Sequence, residues 1–236
     1  MDRLIGIHAV REALVAGRPL ERIVIARGRH GNRFEELIDL ARQRGVSVRF
    51  EDRAQIDRLV GSGQHQGVVA LTSAKQASDL EDLIARGAAR ENGKGFLVLL
   101  DGVEDPRNLG AILRTAETAG VHGVVIPERR AAGLTESVAK SSAGALEYVP
   151  VVKVVNIVHT LDEFKRAGLW VAGAEAGGDR LYWDADFTGP TVLVVGGEDR
   201  GVRRLVRERC DYIVSLPLKG RISSLNVSVA AGVLLY

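Results

Sequence analysis

Leu216-Pro-Leu-Lys-Gly-Arg-Ile-Ser-Ser-Leu-Asn-Val-Ser-Val-Ala-Ala-Gly-Val-Leu-Leu235 follows directly on Tyr212-Ile-Val-Ser215. The first four residues form a short β-branched run that reads as a buried strand. A Pro/Gly turn then leads into a helix of small residues that starts at Asn226. Strand, polar turn and helix together form the repeating unit of a parallel α/β sheet. Ser223, Ser224 and Asn226 crowd the N-terminus of that helix, where free backbone N–H groups and the helix dipole favour polar or anionic ligands. A serine there is equally an ordinary N-cap, so this stretch alone leaves both readings open.

The same alternation extends upstream to residue 96. Strands are expected at Phe96–Leu100, Gly123–Ile126, Val149–Val152, Leu169–Ala172 and Thr191–Val195. Helices are expected at Leu109–Ala119, Thr135–Ala145, Asn156–Ala167 and Val202–Arg209. Continuous Val/Leu/Ile strands between amphipathic helices predict a mostly parallel sheet covered on both faces. Further upstream, strands at Arg22–Arg27, Val46–Phe50 and Gly67–Thr72 flank a helix over Phe34–Gly45, which makes a small α/β unit. The expected organisation is therefore a domain over 1–72, a linker over 73–95 and a larger domain over 96–236. The linker carries one short helical pattern (Leu80 to Ala88) and a flexible end at Glu91-Asn-Gly-Lys-Gly95.

Composition narrows the class. With 46% hydrophobic and 26% charged residues, the 236-residue chain is neither disordered nor collagen-like, and it is long enough for a full core. No apolar run approaches the roughly 20 residues of a membrane span, and no basic segment precedes an apolar h-region, so a cytoplasmic protein without membrane contact is expected. Cys210 is the only cysteine, which excludes intrachain disulfides and fits a reducing compartment. The net charge of +2 is unevenly placed. Residues 1–75 hold 13 Lys/Arg against 9 Asp/Glu, whereas residues 96–236 hold 16 against 17. Twelve of those thirteen N-terminal cations are arginine, the side chain suited to bidentate phosphate contacts. The balance suits a nucleic-acid-binding domain or a solvated face.

Two further motifs follow strands. Leu100-Asp-Gly-Val-Glu-Asp-Pro-Arg-Asn-Leu-Gly-Ala-Ile-Leu-Arg-Thr-Ala-Glu-Thr-Ala-Gly120 places Asn108 at an expected N-cap and Arg114 about a turn and a half along a helix. Ligands of α/β sheets bind at strand C-termini, so this loop faces the expected cleft; alone, it is also a capped helix with a surface arginine. Val195-Gly-Gly-Glu-Asp-Arg-Gly201 is a turn whose adjacent glycines permit close backbone approach, with Glu198 beside them. Its spacing matches neither a dinucleotide fingerprint nor a P-loop. Five histidines without ligand spacing and one cysteine predict no metal site. Arg200, Arg203, Arg204, Arg207 and Arg209 read as one solvated, subunit-facing or RNA-facing helix surface.

In order, Asp105-Pro-Arg-Asn-Leu-Gly-Ala-Ile-Leu-Arg-Thr115, Gly196-Gly-Glu-Asp-Arg-Gly201 and Leu216-Pro-Leu with Ser224-Leu-Asn-Val-Ser-Val-Ala230 closely resemble the motifs of the SpoU-type RNA 2′-O-ribose methyltransferases of the SPOUT superfamily. The resemblance spans residues 96–236. Gly6-Ile-His-Ala-Val-Arg-Glu-Ala-Leu14 and His65-Gln-Gly-Val68 resemble the L30e-like RNA-binding domain that many members carry. With it, the chain is most similar to the branch that methylates a guanosine 2′-hydroxyl in the P loop of large-subunit (23S) ribosomal RNA. The last helix reaches Tyr236 without a C-cap, so the chain is expected to run a little further.

The resemblance implies an α/β fold with a deep C-terminal trefoil knot, an exception to the usual avoidance of knots. It also implies S-adenosylmethionine as cofactor, ribosomal RNA as partner and a homodimer with the sites near its interface. By motif position, Ala174, Glu175, Gly196, Gly197, Gly201, Leu216, Leu218, Ser224 and Leu225 hold the cofactor. Asn108, Arg114, Glu198, Ser224 and Asn226 form the catalytic set, and no metal is required. The chemistry asks for help in removing a proton from a ribose hydroxyl. Arginine stays protonated in neutral water and so has no site free to take a proton; it acts by positioning the hydroxyl or as a desolvated group with an RNA phosphate taking part. Rival readings are a transfer-RNA ribose methyltransferase, a non-catalytic RNA-binding assembly protein and a dinucleotide oxidoreductase.

Overall fold

A computed structural model of the chain describes residues 2–61, 65–73, 78–88, 95–198 and 200–236. The elements run β1 (Asp2–Ile5), α1 (Ile7–Val15), β2 (Leu20–Ala26), α2 (Asn32–Gln43), β3 (Ser47–Glu51), α3 (Arg53–Val60), β4 (Val68–Thr72) and α4 (Leu80–Ala88). They continue as β5 (Phe96–Asp101), α5 (Pro106–Thr118), β6 (Gly123–Pro127), α6 (Glu136–Ser141), β7 (Val151–Val154), α7 (Ile157–Arg166) and β8 (Trp170–Ala174). The last are β9 (Arg180–Leu181), β10 (Thr191–Gly196), α8 (Arg204–Arg207), β11 (Tyr212–Ser215) and α9 (Val227–Leu235). The chain divides into two compact units, Met1–Gln76 with Leu134–Tyr148, and Ala77–Gly133 with Val149–Tyr236.

The first unit is a four-stranded sheet in the order β1-β4-β2-β3, with β2 and β3 parallel and the other pairs antiparallel. β1, α1 and α3 lie outside the strands and helix expected there. β1 is four residues long, and α3 has a single buried residue, Ile56, too little for a periodic signal. The turn into β4 is held by His65, whose side chain is fully buried. Its Nδ1 accepts from the Gly67 amide at 3.0 Å and its Nε2 lies 2.9 Å from Asp57 Oδ1, so the proton sits on Nε2. Residues 134–148 pack in this unit through Arg18, whose Nη1 meets Glu147 Oε1 at 2.7 Å, and through the Tyr148 hydroxyl, which donates to Glu12 Oε2 at 2.6 Å.

The second unit is a fully parallel seven-stranded sheet in the order β7-β6-β5-β10-β8-β11-β9. Its central strands are apolar on both faces because both are covered. On one face Leu97, Leu99, Val192 and Val194 meet Leu161 and Phe164 of α7, Val206 of α8 and Leu83 of α4. Each fully buried side chain of this size contributes about 1.5–3 kcal/mol. Helix α5 packs on α9, which packs on β10. Helix α4 occupies the Leu80–Ala88 pattern within the stretch read as linker, and Leu83 binds it to the core; of the flexible end read at 91–95, residues 91–94 lie outside the described residues.

Three helix expectations change. α5 begins at Pro106 and is capped by Asp105, whose Oδ1 accepts from the Arg107 amide at 2.7 Å, so Asn108 lies inside the first turn and is not the N-cap. Proline at the first helical position explains the shift, since its missing N–H costs nothing there. That amide and the Arg107 side chain hold the Asp105 carboxyl below the usual range. The helix expected at 202–209 is four residues long, and the one expected at 135–145 ends at Ser141.

Two backbone contacts set the end of β10. A Cβ on Gly196 would fall within bonding distance of the Gly201–Val202 peptide. A Cβ on Gly197 would stand 2.7 Å from the Gly102 carbonyl carbon, with its oxygen closer still. Gly197→Ala is therefore expected to cost on the order of 1–3 kcal/mol or more, read as a lower urea midpoint; an unchanged midpoint would contradict this packing. On the far side of the sheet, burial pushes the Cys210 thiol up to about 12. The folded state favours the neutral thiol, so that contribution is complete below the ordinary thiol range and is lost as pH climbs toward about 12. At pH 8, iodoacetamide should alkylate native Cys210 on the order of a hundredfold more slowly than the unfolded chain.

Candidate active site

Because all seven strands of the second sheet are parallel, the ends of β5, β8, β10 and β11 share one edge. The chain runs outward from β5 through β6 to β7, then crosses back to build β8, β10 and β11 on the other side. The β5–β10 boundary is thus a topological switch point, where α/β sheets open a crevice. Two cavities lie along it, both within the second unit.

The first, about 420 Å³, is closed by the ends of β8 and β10, the loop after β11 and the start of α9. Its size falls in the ~300–1,000 Å³ range of small-molecule and cofactor pockets. Ala174, Glu175, Gly196, Gly197, Gly201, Leu216, Leu218, Ser224 and Leu225 all line it. Leu218 and Leu225 are 37% and 45% exposed, a large apolar surface left at the cavity mouth. Glu175 Oε2 is buried without a hydrogen-bond partner among the described residues; Arg207 Nε stands 3.2 Å away, an ion pair outside hydrogen-bond alignment. A buried carboxylate oxygen without a donor is costly, and a ligand carrying hydroxyl or amino groups would satisfy it.

At the lip of this cavity three side chains form a directed chain of hydrogen bonds. Asn226 caps α9, its Oδ1 accepting from the Ser228 amide at 2.9 Å and the Ser228 hydroxyl at 2.6 Å. The cap fixes which end of the amide faces outward, so Asn226 Nδ2 donates to Asn108 Oδ1 at 3.1 Å. That leaves Asn108 Nδ2 to donate to Glu198 Oε1 at 2.6 Å. Residues 108, 198 and 226, far apart in sequence, are thereby locked in one orientation.

The structure brings together Asn108, Glu198 and Asn226, and it places Ser224 on the cavity wall without a hydrogen bond to them. Arg114 stands apart. It is exposed on α5, six residues beyond Asn108 and so about 9 Å along the axis. The arginine group read as one surface is divided among different tasks. Arg203 Nε donates to buried Asp101 at 2.6 Å, Arg204 pairs with Glu208, Arg207 with Glu175 and Arg209 with Asp162. A second cavity of about 400 Å³, at the ends of β5, β6 and β10, involves Arg129 and Arg130, which the sequence reading did not single out. Their only signal was adjacency in a loop after a strand.

Comparison with known proteins matches residues 95–236 to the model of the SpoU rRNA Methylase family, and residues 3–78 to RNA 2′-O ribose methyltransferase substrate binding. YacO of Bacillus subtilis (strain 168), a protein named for the TrmH family of tRNA/rRNA methyltransferases, is 43% identical over 235 residues, 100% of this chain and 94% of that protein. Among solved structures, the SpoU methyltransferase AviRb from Streptomyces viridochromogenes superposes with a TM-score of 0.82 at 28% identity, over 100% of this chain and 87% of that one. A second AviRb structure, in complex with AdoMet, gives 0.81 at 29% identity, over 99% and 87%. With a family model across all seven strands of its parallel sheet and a full-length relative above 40% identity, this chain belongs to the SpoU rRNA methylase family.

Proposed function

We propose that this chain methylates the 2′-hydroxyl of a guanosine in large-subunit (23S) ribosomal RNA, with S-adenosylmethionine as donor. The coarser statement follows from family membership: it is an RNA 2′-O-methyltransferase of the SpoU type. The observation that carries the reading is the hydrogen-bonded chain Asn226–Asn108–Glu198 at the lip of a cofactor-sized cavity.

The cavity suits the cofactor chemically. Leu216, Leu218 and Leu225 offer apolar contact, Gly196 and Gly197 offer close backbone, and Glu175 Oε2 offers an acceptor in need of a donor. When bound, S-adenosylmethionine supplies an electrophilic methyl on a sulfonium. The protein's own part is orientation. Asn226 and Asn108 hold Glu198 in one rotamer, and Ser224 presents a hydroxyl on the cavity wall. Arg114 positions the acceptor ribose through its planar donors. The first unit, with its arginine excess, selects the RNA. Val229, Val233 and Tyr236, exposed on and just beyond α9, support a homodimer through that helix; sedimentation should give twice the chain mass. The resemblance further supports a trefoil knot in the C-terminal segment and residence in the cytoplasm. Among the described residues, no helix is long and apolar enough to cross a membrane.

A transfer-RNA substrate is the second reading, since YacO is named for both RNA classes. Incubation with labelled S-adenosylmethionine and unmodified ribosomal or transfer RNA, followed by mapping of the 2′-O-methyl position, separates the two. A guanosine in 23S RNA is the expected site. Arg114→Ala should lower the single-turnover rate on the order of 10²–10⁴ while cofactor affinity stays unchanged, and Arg114→Lys should restore little. Near-native turnover by Arg114→Ala would remove Arg114 from the mechanism.

A further inference from the structure

The second cavity has a composition of its own. Arg129, Arg130, Arg200 and Arg203 line it, against Asp101, Glu104 and Glu198. Two of these carboxylates are already engaged: Asp101 by Arg203 and Glu198 by Asn108. Among the described residues, Arg129, Arg130 and Arg200 have no ion pair or side-chain hydrogen bond. Three guanidinium groups without a partner among the described residues thus share the crevice with one carboxylate left over, Glu104, which leaves it positive in a segment, 96–236, that carries slightly more acid than base. Like charges gathered this way repel one another unless an anion joins them.

The backbone reinforces the point. Arg130 sits at φ 57, in the left-handed region that non-glycine residues rarely occupy. Strain of this kind persists where surrounding structure imposes it, and it concentrates at binding sites. The lining includes no aromatic ring on which a base would stack, and no Asn or Gln to read a base edge. Several forked donors in one crevice match the paired free oxygens of a phosphodiester.

We infer that this crevice holds a backbone phosphate of the RNA strand that carries the acceptor ribose, with Arg129 and Arg130 as its principal contacts. The assignment rests on the proposed RNA methyltransferase function. It also accounts for the crevice's place: Gly197, Glu198, Arg200 and Gly201 wall both cavities, so a phosphate held here leaves its nucleotide beside the hydrogen-bonded chain. Contacts to phosphate set the register of a nucleic acid without reading its sequence.

The test compares the full-length protein with Arg129→Gln/Arg130→Asn and with the charge-keeping Arg129→Lys/Arg130→Lys. Asparagine tolerates the left-handed conformation, so the neutral variant is expected to keep the wild-type melting temperature. Calorimetry measures S-adenosylmethionine binding, and anisotropy measures a labelled single-stranded RNA 12-mer and unmodified 23S transcript across salt concentrations. The neutral variant should bind the cofactor as wild type does. Its RNA affinity should fall on the order of tenfold, and its slope of log affinity against log salt should drop by about 1 to 1.5, as for two lost single-strand phosphate contacts. The lysine variant should keep the slope. Wild-type affinity and slope in the neutral variant would overturn the assignment, as would a neutral variant that melts early or loses cofactor affinity. Failure of the wild-type protein to bind S-adenosylmethionine would strike the proposed function instead.

Discussion

The loop after β10 is pinned to the end of β5, and the site depends on that attachment. Gly197 donates its amide to the Asp101 carbonyl at 3.0 Å, and its Cα rests against the Gly102 carbonyl. The Asp101 side chain, fully buried, accepts from the Arg203 amide at 2.9 Å and from its guanidinium at 2.6 Å. Both ends of the 197–203 loop are therefore fixed to one strand terminus. Glu198 has little freedom left and lies where Asn108, in the first turn of α5, reaches it. Losing the Asp101 carboxylate would release the Arg203 amide and guanidinium together, so Asp101 is as necessary to this geometry as the glycines.

The Asn226–Asn108–Glu198 chain of hydrogen bonds is a consequence of helix capping. A capping side chain satisfies otherwise free N–H groups at a helix start, and here the acceptor end of Asn226 does so for α9. The same amide cannot turn over without losing those bonds, so its donor end always faces Asn108. One local requirement, the cap, propagates through two residues to orient a carboxylate. This arrangement needs no burial: Glu198 and Asn226 remain exposed, available to an incoming substrate.

Charge distribution separates the two cavities. The cofactor-sized one is walled mainly by leucines, glycines and small residues, with one buried carboxylate oxygen of Glu175, while its neighbour gathers four arginines. They meet at Gly197, Glu198, Arg200 and Gly201, which wall both. All four arginines of residues 203–209 are instead held, by Asp101, Glu208, Glu175 and Asp162, so proximity in sequence says little about which cation stays available.

Read alone, the amino-acid sequence determined the parallel sheet, the chain positions of its main strands and the helices α5, α7 and α9, because runs of Val, Leu and Ile between amphipathic segments have one economical burial. The residues around the first cavity were expected only from the resemblance of the motifs to the family, and the parallel sheet brings the turns after β10 and β11 to one edge. Tertiary structure alone decided the rest. Asp105 took the cap expected of Asn108 because Pro106 fits only the first helical position. Residues 134–148 joined the first unit through Glu147 and Tyr148, whose partners Arg18 and Glu12 lie more than a hundred positions away. Arg129 and Arg130 became part of a crevice only once β6 was laid beside β5. Local pattern reports what a segment buries; which charged groups meet is set by strand order, and that order is encoded in no single segment.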